Sequence, residues 1–467
     1  MSSEKEKNKD EIVTINPATG EKIKSYKLMS TKEAEDAVKK CHEAFLKWRL
    51  KSPEERAKVI KTIGKSLGKY KDELAKLMTQ EMGKLEAQGG DEVDLCIGIC
   101  DWTAANAPES LKSEERELPD GGKGHVTYSP MGVIYGIQPW NYPTYQVIRY
   151  AIASLMAGNG VLLKHASNVT GSGLLIEKAF LDAGLPENLF TVLTISHDTS
   201  NKIIKNELVR GVTLTGSPSA GKVIGELAGK NLKKSVLELG ANDAYMVLED
   251  ADVDLAIEMC VKGRLYNNGE TCIAAKRFIV VDAVYEEFKK GFVSKMSAIK
   301  HGDPTKEGSD IGPMARKDLR EDLHEQVTKS VKNGAEILCG GKIPEGKGYY
   351  YPATVLGNVK PGQPAYSDEL FGPVASLIHA KDDEDAMRLA NDSRFGLGGG
   401  IFSKNEDKAI ELASKYFDTG MVFINCFGLA VPNMPFGGVK DSGYGREHGG
   451  FGLFEFVNVK SIMLMKN

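Results

Sequence analysis

What these 467 residues lack narrows their function before any motif is read. They have no excess of one charge: 60 Lys and Arg against 64 Asp and Glu leave −4 at neutral pH. A polyanion-binding surface needs a basic surplus, so nucleic acid is excluded as the main partner. There is no disulfide framework. The seven cysteines are odd in number, scattered, and never spaced CxxC, which reads as a thiol-reduced chain, expected in the cytoplasm. No apolar run approaches the roughly 18 residues of a membrane span, and the N-terminal MSSEKEKNKDE has no apolar h-region, so a solvated tail and no membrane partner are expected. The eight histidines never fall at zinc-ligand spacing, so no protein-bound metal is indicated. Internal repeats and low-complexity segments are missing too.

Glycine, by contrast, is abundant at 50 residues, above the usual ~7%. Many positions must turn tightly or let backbone approach something closely. Hydrophobic residues at 41% supply ample core, and the length suggests about three structural units of roughly 150 residues. Residues 31–50 and 52–78 carry apolar positions at helical spacing, with Thr31 as a candidate cap and Glu33 or Glu35 in the first turn. From Gly132 onward short apolar strands alternate with helices. Strands are predicted at Gly132–Ile137, Val161–Lys164, Leu189–Leu193, Val212–Thr215 and Val236–Leu239. Helices are predicted at Tyr145–Met156, Leu174–Ala183 and Ala220–Ala228. Such alternation builds a parallel α/β sheet, with ligands bound beyond the carboxyl ends of its strands. A second α/β block follows, with strands near Arg277–Val281 and Met421–Asn425. Phe454–Met465 reads as a terminal strand able to dock on another sheet edge.

Four segments carry chemistry-bearing residues. In Thr215–Gly221 a strand passes into a helix, and Gly216, Ser217 and Gly221 let backbone approach a pyrophosphate at the positive helix end. Without GxGxxG or a P-loop Lys, an ordinary βα turn fits that segment as well. Asn268–Cys272 (NGETC) places a cysteine among polar neighbours, as a nucleophile needs, whereas Cys41, Cys96, Cys100 and Cys260 sit in apolar helical settings. Glu238, in Leu237–Gly240, is a carboxylate at the end of an apolar strand: paired with a cation, or kept as a base of raised pKa. Asn141, between Pro139 and Pro143, is a well-fixed amide donor and equally a turn former.

Together these segments resemble the aldehyde dehydrogenase superfamily. The resemblance runs from Asn16–Glu21 through PWNYP, Lys164, TGS, LELG and NGETC to Glu369–Val374, Asn391–Leu397, Pro435–Gly443 and Gly445–Glu447. It implies an aldehyde dehydrogenase-like α/β fold in three parts. These are a Rossmann-like cofactor domain (1–106 and 131–239), an α/β catalytic domain (240–439) and a β-rich oligomerisation element (107–130 and 440–467). A homodimer or homotetramer is implied with it. By the same resemblance Cys272 attacks the aldehyde as thiolate, Asn141 holds the oxyanion, Glu238 activates the hydrolytic water, and Glu447 relays protons. The cofactor, NADP or NAD, would meet Trp140, Lys164, Ser167, Gly216, Ser217, Gly221, Leu239, Glu369 and Phe371.

Three positions bear on substrate and cofactor. Ser167 stands where many NAD-preferring relatives carry a glutamate, which removes a carboxylate that would repel a 2′-phosphate. Arg149, two helical turns beyond Asn141, matches the carboxylate clamp of succinate-semialdehyde dehydrogenases, so it is expected on the substrate tunnel wall. The clamp's second arginine is replaced by Tyr266, with Arg264 nearby. Glu270 replaces the family's usual glutamine, and a carboxylate beside a thiolate raises the thiol pKa unless it points away. The resemblance thus favours NAD(P)-dependent oxidation of succinate semialdehyde. Alternatives are another aliphatic aldehyde, a CoA-acylating relative, or a catalytically silent binding protein on the same fold.

Overall fold

The computed structural model describes residues 10–466; most of the N-terminal tail expectation, residues 1–9, lies outside them. A two-stranded ribbon, Glu11–Ile15 with Lys22–Lys27, leads into four helices. The first, Thr31–Trp48, starts one residue earlier than its candidate cap implied. Ser30 is the cap: its hydroxyl accepts from Glu33 N, while Glu33 accepts from Ser30 N at 2.7 Å. The same reciprocal box, Ser52 with Glu55, starts Pro53–Lys69. The predicted helix over 52–78 is two helices, Pro53–Lys69 and Lys71–Met82, broken at Tyr70.

A six-stranded sheet follows in the order Gly443–Tyr444, Lys234–Glu238, Val209–Thr215, Val133–Gln138, Gly160–His165, Phe190–Val192. It is parallel except for Gly443–Tyr444, which runs antiparallel against Leu237 and Glu238. Gly160–His165 is buried along its whole length, as a strand covered by helices on both faces must be. Val133–Gln138 lies between Gly160–His165 and Val209–Thr215, so the winding reverses there. At the carboxyl ends of these strands stand Lys164 and Glu238, and just beyond them PWNYP and Gly216, in the crevice where such sheets bind ligands.

The second sheet has seven strands in the order Glu336–Cys339, Thr354–Gly357, Val374–Ala380, Arg277–Val281, Ala244–Val247, Gly399–Phe402, Phe423–Ile424. Only the Glu336–Cys339 pairing is antiparallel. A third, antiparallel sheet joins Glu114–Glu117, Lys123–Pro130 and the terminal strand Val457–Leu464. A short helix, Phe451–Glu455, delays that last strand relative to the expected Phe454 start.

Candidate active site

The nucleophile loop is built by three consecutive left-handed residues. After the helix Val253–Leu265 the chain turns through Asn267, Asn268 and Gly269 at φ of 55°, 58° and 75°. Two non-glycine residues in that region cost conformational energy, and here their side chains repay it with hydrogen bonds. Asn267 Nδ2 donates to the carbonyls of Asn141 at 2.9 Å and Glu270 at 3.2 Å. Asn268 Nδ2 donates to Gly83 and Pro313 carbonyls, and its Oδ1 accepts from Gly312 N at 2.7 Å. A Cβ at Gly269 would stand 2.5 Å from the backbone of Gly372, so no side chain fits. Asn141 Nδ2 closes the loop by donating to Glu270 O at 3.0 Å.

Cys272 emerges from this loop where two cavities meet. One, about 240 Å³, is lined by Trp140, Asn141, Gly216, Ser217, Leu239, Glu369, Phe371 and Cys272. The other, about 70 Å³, is a channel walled by Tyr142, Tyr145, Tyr266, Phe436 and Ala430 on its way to Cys272. Burial pushes the Cys272 thiol up to about 12, Arg149 and Lys276 work against that rise, and Glu369 and Asp243 add to it. Glu238, buried against Gly437, has neither oxygen hydrogen-bonded, and desolvation holds its carboxyl well above the usual range. Glu270 is buried likewise and raised for the same reason. Its Oε1 accepts from Ala315 N at 3.1 Å, which directs the carboxyl away from Cys272. In its neutral form it stands in for an amide at this position.

The first cavity suits a dinucleotide. Ser217 caps the thirteen-residue helix Pro218–Lys230, with Gly216 at the cleft wall and no side chain between them and the space. Trp140 and Phe371 meet edge to face at 5.7 Å on one flank. A further cavity of about 340 Å³ holds Lys164, Ser167, His197 and Arg316, a cationic wall without a carboxylate. Lys164 is buried, and its charge depresses the pKa of His197. Gly221 lies inside the helix, where a Cβ would strike Leu239 at 2.5 Å, so it serves close packing.

Comparison with known proteins places this geometry. The aldehyde dehydrogenase family model matches residues 4–462. The chain belongs to the aldehyde dehydrogenase family. It is 44% identical over 450 residues to the NAD(P)+ succinate semialdehyde dehydrogenase of Escherichia coli, covering 96% of this chain and 97% of that one. It is 40% identical over 451 residues to an NADP+ succinate-semialdehyde dehydrogenase of Deinococcus radiodurans, covering 97% and 94%. The crystal structure of succinic semialdehyde dehydrogenase from Streptococcus pyogenes, in complex with NADP+, superposes with a TM-score of 0.95 at 37% identity, over 97% of this chain and 100% of that one. The α/β fold is that of the family.

Within this family member the structure distributes the remaining site residues unevenly. Tyr266 lines the channel. Arg149 does not: its side chain is fully buried in an ion pair with Glu447, its guanidinium 4.6 Å from the Phe436 ring, and it donates to Thr215 Oγ1 at 2.9 Å. The expected tunnel-wall placement is corrected accordingly, because a buried guanidinium takes its counter-charge from Glu447 first. Arg264 is buried too and donates to Gly269 O, bracing the nucleophile loop. Glu447 is positioned by its backbone bridge with Phe436.

Three residues were not legible as site residues. Lys276 donates to the Cys272 and Thr271 carbonyls. Glu92 accepts from Thr144 N and Tyr145 N and pairs with the buried Lys84. All three act through backbone or through each other, and no local pattern marks that.

Proposed function

We propose that this family member oxidises an aldehyde to a carboxylic acid, succinate semialdehyde to succinate in particular, with NADP or NAD as hydride acceptor. The observation that carries the reading is the position of Cys272 at the junction of the cleft lined by Gly216, Ser217, Glu369 and Phe371 and a separate channel. The Cys272 thiolate adds to the aldehyde carbonyl, and the oxyanion so formed faces the Asn141 amide and the Cys272 N–H. One free N–H of Asn141 suffices, since the other is bound to Glu270 O. Trp140, Gly216, Ser217, Glu369 and Phe371 would hold the nicotinamide cofactor, which would supply a hydride acceptor beside Cys272; loss of hydride from the adduct leaves Cys272 as a thioester. Glu238, raised by burial, takes a proton from water as that water attacks the thioester, once Glu238 has itself lost its proton. Acid and free thiol result. Glu447, in the same buried cluster as Glu238 and released from Arg149 while substrate is bound, passes that proton outward.

The substrate reading is supported by the names of the relatives. For the distal carboxylate we keep Arg149, assisted by Tyr266 from the channel wall. Arg149 binds substrate by exchanging Glu447 for it, an exchange of one carboxylate for another. Arg264 supports the site through the loop. Ser167 and Lys164 support acceptance of NADP. We propose the three-part domain division as above, with the cytoplasm as its compartment. No helix among the described residues is long and apolar enough to cross a membrane. The terminal strand Val457–Leu464, an edge strand with Val459, Met463 and Leu464 turned to solvent, supports a homodimer or homotetramer.

The test is a panel of aldehydes with NADP+ and NAD+, scored by kcat/KM, for the wild type and Arg149→Ala. Succinate semialdehyde is expected to lead the panel, and Arg149→Ala to cost it at least about tenfold more than butanal. An equal loss on both aldehydes removes Arg149 from carboxylate recognition. A panel led by an uncharged aldehyde removes succinate semialdehyde.

A further inference from the structure

Lys276 has an unusual place for a lysine. Its side chain is 1% exposed, and its ammonium donates to Cys272 O at 2.6 Å and Thr271 O at 3.2 Å, with Glu369 Oε1 at 3.3 Å. An ammonium taken out of water needs that compensation. The two carbonyls belong to the nucleophile loop and are fixed. Glu369 is different: it is 17% exposed, lines the cofactor cleft, and reaches across it to Gly240, where a Cβ would stand 2.4 Å from its Oε2. One counter-charge of Lys276 therefore faces a ligand site, while the ammonium itself is hydrogen-bonded to the main chain of Cys272.

We propose that Lys276 is a charge shared between Glu369 and the nucleophile, and that cofactor binding, by engaging Glu369, leaves the ammonium to stabilise the Cys272 thiolate. Lys276 is thus a positioning residue for charge and touches no reacting atom. The inference rests on the proposed function in taking Cys272 as nucleophile and Glu369 as a cofactor contact. The other groups around Cys272 leave the task to Lys276. Arg149 also favours the thiolate, but without substrate it is paired with Glu447 and its partner is not in the cofactor cleft, and Asp243 disfavours the thiolate. Burial pushes Glu238 and Glu270 toward their neutral forms and raises the Tyr142 and Tyr145 phenols. Lys276 is the neighbouring cation whose partner lies in the cleft. An ammonium that loses its carboxylate favours an adjacent thiolate more strongly. By linkage, the thiolate form then binds cofactor more tightly than the thiol form.

The experiment is alkylation of Cys272 by iodoacetamide in the full-length protein, without aldehyde, with and without saturating NADP+. Mass spectrometry of the Cys272 peptide separates it from the exposed Cys426 and the half-buried Cys339. NADP+ binding is measured in parallel by calorimetry. In the wild type NADP+ is expected to speed alkylation at neutral pH by about tenfold, the gain expected when a nearby counter-charge is freed. Lys276→Met should lose most of that gain, and Lys276→Arg, which keeps the charge and guards against a merely misfolded loop, should retain it. Glu369→Gln should alkylate fast before cofactor is added and gain little afterwards. An equal gain in wild type and Lys276→Met, as the positive nicotinamide alone would produce, overturns the inference and leaves the proposed function standing. So does a Glu369→Gln variant that responds like the wild type. Absence of NADP+ binding to the wild type overturns the inference together with the NADP reading.

Discussion

Three ionisable side chains at the site differ from their solution behaviour for one reason, removal from water. Cys272, Glu238 and Glu270 are all pushed toward their neutral forms by burial. For Cys272 and Glu238 the expected consequence is chemical. Cys272→Ala should abolish aldehyde-dependent NADPH formation while calorimetry still detects cofactor binding. Glu238→Gln should keep a single-turnover burst and lose steady-state rate by roughly 10²–10⁴, the range for a missing general base. For Glu270 the consequence is stability. Its folded carboxyl titrates above its unfolded one, so its contribution is complete below about pH 4.5 and is lost as pH rises through the raised folded value. Glu270→Gln should therefore flatten the fall of Tm that sets in above about pH 4.5, with little change in turnover at neutral pH. Thermal melts of both proteins from about pH 4.5 upward decide it: parallel profiles would show that folding leaves the Glu270 carboxyl unshifted.

At the scale of elements, the nucleophile loop is a costly piece of backbone. Asn267, Asn268 and Gly269 hold left-handed conformations in sequence, and Gly269 also lies against Gly372. Gly269→Ala combines a left-handed penalty of ~1–2 kcal/mol with a backbone clash. It should destabilise the protein by at least about 2 kcal/mol and cut kcat more than KM, because it moves Cys272 relative to Asn141. Chemical denaturation with parallel kinetics tests this, and a variant with wild-type stability would show that the loop relaxes freely. The NGETC segment was readable as a polar cysteine loop, since its composition is local. The strain was not readable, because Gly83, Pro313 and Gly372 reach it from far along the chain.

For the whole molecule, the site exists because the ends of two sheets meet. Glu238 ends one strand of the first sheet, and Cys272 precedes Arg277–Val281 of the second. The third sheet closes nothing. It leaves Val457–Leu464 as an edge carrying Val459, Ile462, Met463 and Leu464 toward solvent. Such an edge pairs with another chain unless it is charged. In the proposed homo-oligomer, Ile462→Lys combined with Leu464→Lys should shift the mass seen by light scattering to that of a monomer of 50.8 kDa. An unchanged oligomer would assign assembly to another surface.

The sequence by itself determined the α/β alternation, the Cys272 loop, Glu238 at its strand end and the order of motifs that marks the family. Each of these is a local pattern of hydrophobicity, turn chemistry or residue type, and local patterns survive without coordinates. Tertiary structure alone decided where charge is spent. Arg149 met Glu447 instead of the channel wall, Glu270 turned toward Ala315 N instead of Cys272, and Lys276 came to bridge Glu369 and the nucleophile. Spacing along a helix tells which way a Cα faces. Which counter-charge a buried side chain takes depends on every segment packed around it, and the energy at stake in a desolvated site makes that choice override helical register.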